Sequence, residues 1–267
     1  KYMFHTRPTL LVLIVLFALP AHALAAFSTL DPHRVSSKAS AQLDYVLIDD
    51  MDGLTLTRTD LRLQIAPKTL DNMAFYGYLP LTLVFAEGDN ISTIGSPEIG
   101  LLTQSGQTTY RLGCLLPFAS SDFGELMMRT LTSLSRLTDL ATLYPEALSI
   151  RAGASHRQKS DGIFTQLDSG LDYVKCVAEG CKSDDAELFL RFNAGAGVDL
   201  GSGSLAIESA NIANLTSDGD LGDKMVHSLG LTMALNLNHA RLALGVSTIL
   251  DEGVDVSAIH LGITADL

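Results

Sequence analysis

From Ala186 to Leu267 apolar and polar residues alternate over whole strand lengths. In A-E-L-F-L-R-F-N-A-G-A-G-V-D-L one parity carries Leu188, Leu190, Phe192, Ala194, Ala196, Val198 and Leu200. The other carries Glu187, Arg191, Asn193, Gly195, Gly197 and Asp199. Successive side chains on a strand point to opposite faces, so one face is continuously apolar and the other polar or small. Similar segments run back to Gln42, at 42–48, 54–65, 73–84, 97–103, 109–116, 147–156, 163–174, 186–200, 204–212, 225–237, 240–249 and 256–267. Soluble sandwiches also alternate, yet they do not set charge and glycine opposite such unbroken aliphatic stripes. The pattern predicts an all-β chain: an antiparallel, transmembrane, up-and-down β-barrel of about 12 strands, apolar outside and polar within.

The connections alternate in length. S-G-Q, K-S-D-G, G-S-G-S and N-H are short turns with turn chemistry. Between them lie A-E-G-D-N-I-S-T-I-G-S, the stretch after Phe118, C-V-A-E-G-C-K-S-D-D and T-S-D-G-D-L-G-D. Barrels of the bacterial outer membrane have short periplasmic turns and long external loops, which puts both termini on the periplasmic side. One long connection is helical. Phe123, Leu126, Met127, Leu131, Leu134, Leu137 and Leu140 recur at helical spacing, Asp122 can cap the segment, and Pro145 lies past its end. This helical insertion, about 122–141, sits in an external loop and is expected to pack on the barrel rim, with a plug inside the lumen as the alternative.

Composition adds compartment. Hydrophobic residues are 47% and charged ones 18% of 267. Lys1 and Arg7 precede a short apolar run ending in A-H-A-L-A-A, the form of a secretory signal peptide over 1–25 with cleavage near Ala23 or Ala25. A polar linker, 26–41, leads into the barrel at 42–267. The net charge of −12 becomes −14 without Lys1 and Arg7, which argues against nucleic acid as a partner. Cys176 and Cys181 flank V-A-E-G and are spaced for a disulfide in an oxidising compartment. Cys114 is in phase with the outward residues Tyr110 and Leu112.

The inward parity predicts a charged lumen lined by Arg58, Asp60, Arg62, Gln64, Glu98, Arg111, Arg151, Asp168, Asp172, Glu187, Arg191, Asp199, Arg241, His260 and Asp266. Such charges either line a narrow polar path or pair up and fill the lumen; twelve strands lie between the filled lumen of eight and the open one of sixteen. Catalysis is not expected. Ser160 and His156 fall at a predicted periplasmic turn, and His227 and Ser228 are strand neighbours facing opposite ways. No cofactor and no metal are expected. D-D-M-D-G and S-D-G-D-L-G-D lack the full twelve-residue calcium loop and read as solvated turns.

F-Y-G-Y-L-P-L-T, then G-S-P-E-I-G-L-L and Y-R-L-G-C-L-L-P-F-A-S-S, resemble the Gram-negative outer-membrane transporter-type barrels, porin-like proteins that include the phenol-degradation MetA-pathway group. These share a tyrosine-and-proline strand, a glycine-bracketed hairpin and a strand ending in Leu-Pro. The likeness runs from Phe75 to Ser121. It implies an outer-membrane location, contact with lipid, lipopolysaccharide and the barrel-assembly machinery, and passage of small or hydrophobic compounds. Two features depart from the pattern: the chain ends T-A-D-L rather than on an aromatic residue, and it has no Trp. Its aromatic girdles would rest on residues such as Tyr45, Phe75, Tyr76, Tyr110 and Tyr173. The reading is a non-enzymatic channel or transporter-like barrel; the alternatives are a closed-lumen barrel acting through its external loops and, behind it, a lipid hydrolase.

Overall fold

The computed structural model describes residues 35–48, 55–85, 90–178, 186–217, 224–238, 240–251 and 255–267. The signal segment, D-D-M-D-G, Cys181 and most of S-D-G-D-L-G-D lie outside them. Thirteen strands follow one another as β1 (Lys38–Ile48), β2 (Thr55–Ile65), β3 (Met73–Phe85), β4 (Asn90–Ile94), β5 (Glu98–Ser105), β6 (Thr108–Leu115), β7 (Ala147–Ser160), β8 (Ile163–Cys176), β9 (Ala186–Asp199), β10 (Gly203–Asn214), β11 (Met225–Asn236), β12 (Ala240–Ile249) and β13 (Val256–Asp266). All pairings are antiparallel, β1 pairs with both β2 and β13, and β2 pairs with β3, so the sheet closes on itself. Closure removes the free edges that would expose unpaired backbone groups to lipid.

Twelve strands match the expected segments; β4 is additional. It lies inside the stretch expected to be a loop. β3 pairs with β5 along its first half, from Met73↔Thr103 to Tyr78↔Glu98, and with β4 along its second, from Leu81↔Ile94 to Phe85↔Asn90. β4 and β5 are thus one wall position broken at Gly95-Ser96-Pro97, where Pro97 has no N–H for a ladder. β1 also starts at Lys38, so residues 38–41 belong to the wall and not to the linker.

Alternation holds where the sequence carries it. In β8 Ile163, Leu167, Leu171 and Tyr173 are exposed, while Phe164, Gln166, Asp168, Asp172 and Val174 are buried. Leu61, Phe75, Ile99, Leu112, Ile150, Phe192, Ile207, Leu231, Leu244 and Leu261 extend the same exposed apolar surface around the barrel. A soluble monomer tolerates apolar patches of a few hundred Å² at most. Among the described residues no helix is long and apolar enough to cross a membrane, which says nothing about a β-barrel. The hairpin turns obey local rules. Asp161 and Gly162, both at positive φ (50° and 80°), close the two-residue β7–β8 hairpin, the turn whose twist suits paired strands.

The insertion between β6 and β7 is a helix, α1 (Phe123–Ser133), continued by a 3-10 segment, Leu134–Leu143. The Asp122 carboxylate accepts from the Gly124 and Glu125 amides and caps α1. The insertion does not lie on the rim. Arg129, Thr132, Ser133, Leu137, Ala141 and Thr142 are buried inside the barrel. Two physical causes draw it in. Its Leu137 and Ala141 join inward Val46, Leu56, Val84, Leu115, Val174, Phe189, Ile212, Ile249 and Val256 in an apolar core that fills the barrel end remote from the termini. Its polar side chains then complete the charged layer beneath. Gly95 gives the close approach: a Cβ there would meet Pro80 Cγ at 2.9 Å and the Thr142 carbonyl at 3.2 Å. The broken wall donates to the insertion, from Ser96 N to Thr142 O at 3.1 Å.

Candidate functional site, a charged barrel interior

Below the apolar stopper lies one connected ion-pair network. Arg191 Nε reaches Asp172 at 3.0 Å, and Asp172 holds Arg151 at 3.0 Å. Arg151 bridges Glu98 and Asp139, both at 3.1 Å. Glu98 takes three bonds from Arg111, at 2.7, 2.8 and 3.2 Å, and one from the Tyr76 hydroxyl. Asp139 accepts from Tyr78 at 3.0 Å and faces Arg58 at 3.4 Å and Arg136 at 3.6 Å. Asp60 closes the network on Arg58 at 2.9 Å and Arg136 at 2.6 Å. Five guanidiniums and four carboxylates are therefore linked across β2, β3, β5–β9 and the insertion. Unpaired charges here would carry a large desolvation cost, and the mutual pairing offsets it.

Glycines make the room. Gly100 and Gly113 face each other across β5 and β6, and a Cβ on Gly113 would overlap Glu98 Oε1 and the Tyr76 hydroxyl. Gly153 and Gly170 do the same between β7 and β8, beside the Arg191 guanidinium. On the insertion, outside the strands, burial alone would raise the Asp139 carboxyl. The guanidiniums of Arg136, Arg151 and Arg58 outweigh it and hold the group well below the ordinary aspartate value.

The structure brings Arg58, Asp60, Glu98, Arg111, Arg151, Asp172 and Arg191 together, and scatters the other expected lining residues. Arg62 stacks over Tyr78 at 5.4 Å. Gln64 donates to the Ser36 carbonyl and Asp168 accepts from Gln166. Glu187 accepts from Tyr144 and Asn214 at the stoppered end. Asp199 pairs with exposed Lys159 at the terminus-bearing end, and Asp266 stands opposite Lys38 there. Arg241 donates to Ser204 Oγ at 2.6 Å. His260 belongs to a separate group: its Nδ1 is 2.9 Å from Asp44 Oδ1 and its Nε2 2.7 Å from Ser247 Oγ.

Several members escape the sequence reading. Tyr76 was expected in an outer girdle, but it points inward and is buried, with its hydroxyl on Glu98; Tyr45, Phe75, Tyr110 and Tyr173 do face outward. Its even parity on β3, shared with Ala74 and Tyr78, carries that information. Asp44 shares the inward parity of β1 in the same way. Arg136 and Asp139 had no such signal, because a strand parity rule says nothing of a helix. As for the weighed hydrolase residues, His156 bonds Thr108 on the exposed surface, and His227 bonds Asn211 while Ser228 is buried inward.

Inward residues of intermediate exposure include Ser40, Gln42, Gly195, Gly230, Ser247 and Gly262 on β1, β9 and β11–β13, together with Arg62, Gly100 and Gly153 beside the network. The network occupies the wall from β2 to β9, and the wall from β10 through β13 to β1 carries smaller inward side chains such as Ala206, Ala210, Gly230, Ser247, Gly262 and Ser40.

No protein-family model and no curated protein matches the chain. Solved structures do. An outer-membrane channel from Pseudomonas putida F1 superimposes with a TM-score of 0.63 at 13% identity, over 92% of this chain and 100% of that one. The NanC porin gives 0.51 at 10% identity, over 86% and 100%. The translocator domain of the autotransporter NalP from Neisseria meningitidis gives 0.52 at 13% identity, over 89% and 91%. The fold is that of an outer-membrane β-barrel. These neighbours include a channel, a porin and an autotransporter translocator, so the shared architecture sets the fold and the lumen must argue the function.

Proposed function

We propose that the protein is an outer-membrane channel or transporter-like barrel for small compounds, with residues 123–143 as its stopper. The observation that carries this is the asymmetry of the barrel interior: a wall of smaller, partly exposed side chains beside a charged and paired one, ending under an insertion packed inside the barrel. Two of the solved structures it resembles, a channel and a porin by description, support the reading. The chain is exported by its signal peptide, with both termini periplasmic and its long loops outside, where they meet lipopolysaccharide. Its outward face contacts outer-membrane lipid and the barrel-assembly machinery receives it. A Cys176–Cys181 bridge tightens the external β8–β9 loop. Passage needs neither cofactor nor metal. The buried network and the apolar stopper favour one rival, a closed-lumen barrel acting through its loops.

Planar-bilayer recording separates the two. The intact protein is expected to show small, infrequent openings. Replacing residues 123–143 by a short Gly-Ser linker is expected to give steady conductance. Absence of current from both proteins would reject the channel.

A further inference from the structure

Three adjacent strands bring together a serine, a histidine and an aspartate that the channel reading leaves unused. Ser247 on β12, His260 on β13 and Asp44 on β1 all point into the lumen. Ser247 Oγ lies 2.7 Å from His260 Nε2, and His260 Nδ1 lies 2.9 Å from Asp44 Oδ1. Asp44 is fully buried and positioned by two further donors, Gln42 Nε2 at 2.7 Å and the Ser135 hydroxyl of the insertion at 3.1 Å. A carboxylate on Nδ1 fixes the tautomer with the proton there. Nε2 is then free to accept from the serine, the arrangement of an activated nucleophile recognised by geometry rather than by sequence order.

Access and room match this role. Ser247 is partly exposed, whereas His260 and Asp44 are buried. Its cross-strand partner on β11 is Gly230, which puts no side chain beside the Ser247 hydroxyl. Directly above, Ile249 and Val256 begin the apolar stopper and bound the site on that side.

We propose that Ser247 is a nucleophile for small carboxylic esters that enter the lumen. Its Oγ bonds to the carbonyl carbon as its proton passes to His260 Nε2. The alcohol leaves with that proton. Water, deprotonated by the same nitrogen, then breaks the acyl–serine bond, releases the acid and restores the serine. Asp44 acts as a positioning residue through His260. This activity is independent of conduction, so either reading can fail alone.

The test uses the full barrel in detergent micelles and a fluorophosphonate probe. Its phosphorus takes the Ser247 oxygen as fluoride leaves and the serine proton goes to His260. Wild type is expected to be labelled on the peptide containing Ser247. Labelling should vanish in S247A and fall by at least about tenfold in H260Q. D44N should fall likewise and D44E should recover part of the rate, a rescue that a purely structural role would not produce. S169A, an outward-facing serine variant, should label as wild type does. Heat-modifiable gel migration confirms that each variant is folded. Wild type that takes no more label than folded S247A, or label on another residue, would overturn the proposal.

Discussion

Tyr76, Glu98 and Arg111 show how a single missing Cβ sets the lumen. The three groups pack over Gly100 and Gly113, and a methyl on Gly113 would occupy the space of the Glu98 carboxylate. Glu98 cannot retreat, because Arg111 and Arg151 hold it from two sides. G113A is therefore expected to destabilise the barrel by about 1–3 kcal/mol, the usual cost of overpacking. Gly77 lies on the opposite face of the wall with nothing within 4 Å of an added Cβ, so G77A is expected to stay within about 0.5 kcal/mol of wild type. Urea unfolding in micelles, followed by gel migration, checks both; equal effects would show that the packing around Glu98 yields. At this scale the sequence is informative because parity is geometric. Arg58, Asp60, Glu98, Arg111, Arg151, Asp172 and Arg191 follow from it directly. Who pairs with whom does not, since pairing depends on register across seven strands and on a helix that brings its own charges.

The insertion is the element whose sequence misleads. Its leucines recur at helical spacing, and that pattern fits a helix lying on a rim as well as one buried in a barrel. What decides is the partner surface, the inward Val46, Leu56, Val84 and Ile249, on strands whose polar lower halves suggest a lumen that is charged throughout. β4 was hidden for a related reason. Five residues between a glycine-containing loop and Gly95-Ser96-Pro97 are too short to show alternation. The placement of Asp139 gives the element a pH signature. Its carboxyl is held below the ordinary value when the insertion is seated, so its ionised form stabilises the seated state. That contribution is complete above the unseated pKa of about 3.9 and is lost as pH falls below it. Protection factors of residues 123–143, exchange rates divided into the intrinsic rate at each pH, are expected to be high and flat from neutral pH down to about 4, and lower below. D139N should leave Arg58, Arg136 and Arg151 short of a counter-charge, cost about 3–5 kcal/mol, and already lower the protection factors at neutral pH. Exchange that ignores the substitution would mean the apolar layer alone seats the insertion.

For the molecule as a whole, the fold is legible because it has only one way to satisfy its pattern. Twelve stripes of outward leucine, isoleucine and phenylalanine bury nothing against protein, and closure through β1 and β13 leaves no edge on which a second sheet could stack. The apolar belt is then a solvent match, and the same residue change should have opposite weight on the two faces. Leu231 stands near the middle of β11 on the outer face, 48% exposed. L231K places an ammonium at mid-belt and is expected to cost about 2–4 kcal/mol in lipid bilayers. Ser40 is partly exposed on the inward face of β1, near the end that carries the termini, and S40K is expected to cost less than half as much. The contrast is a property of the surrounding medium as well as of packing. It should shrink in urea-containing detergent solution, where an exposed ammonium stays hydrated, and return on reconstitution into vesicles. Refolding yields of the two variants in both media measure it. If L231K folded into vesicles as readily as S40K, the outward face would not be in contact with lipid, and the membrane-spanning arrangement would lose its basis.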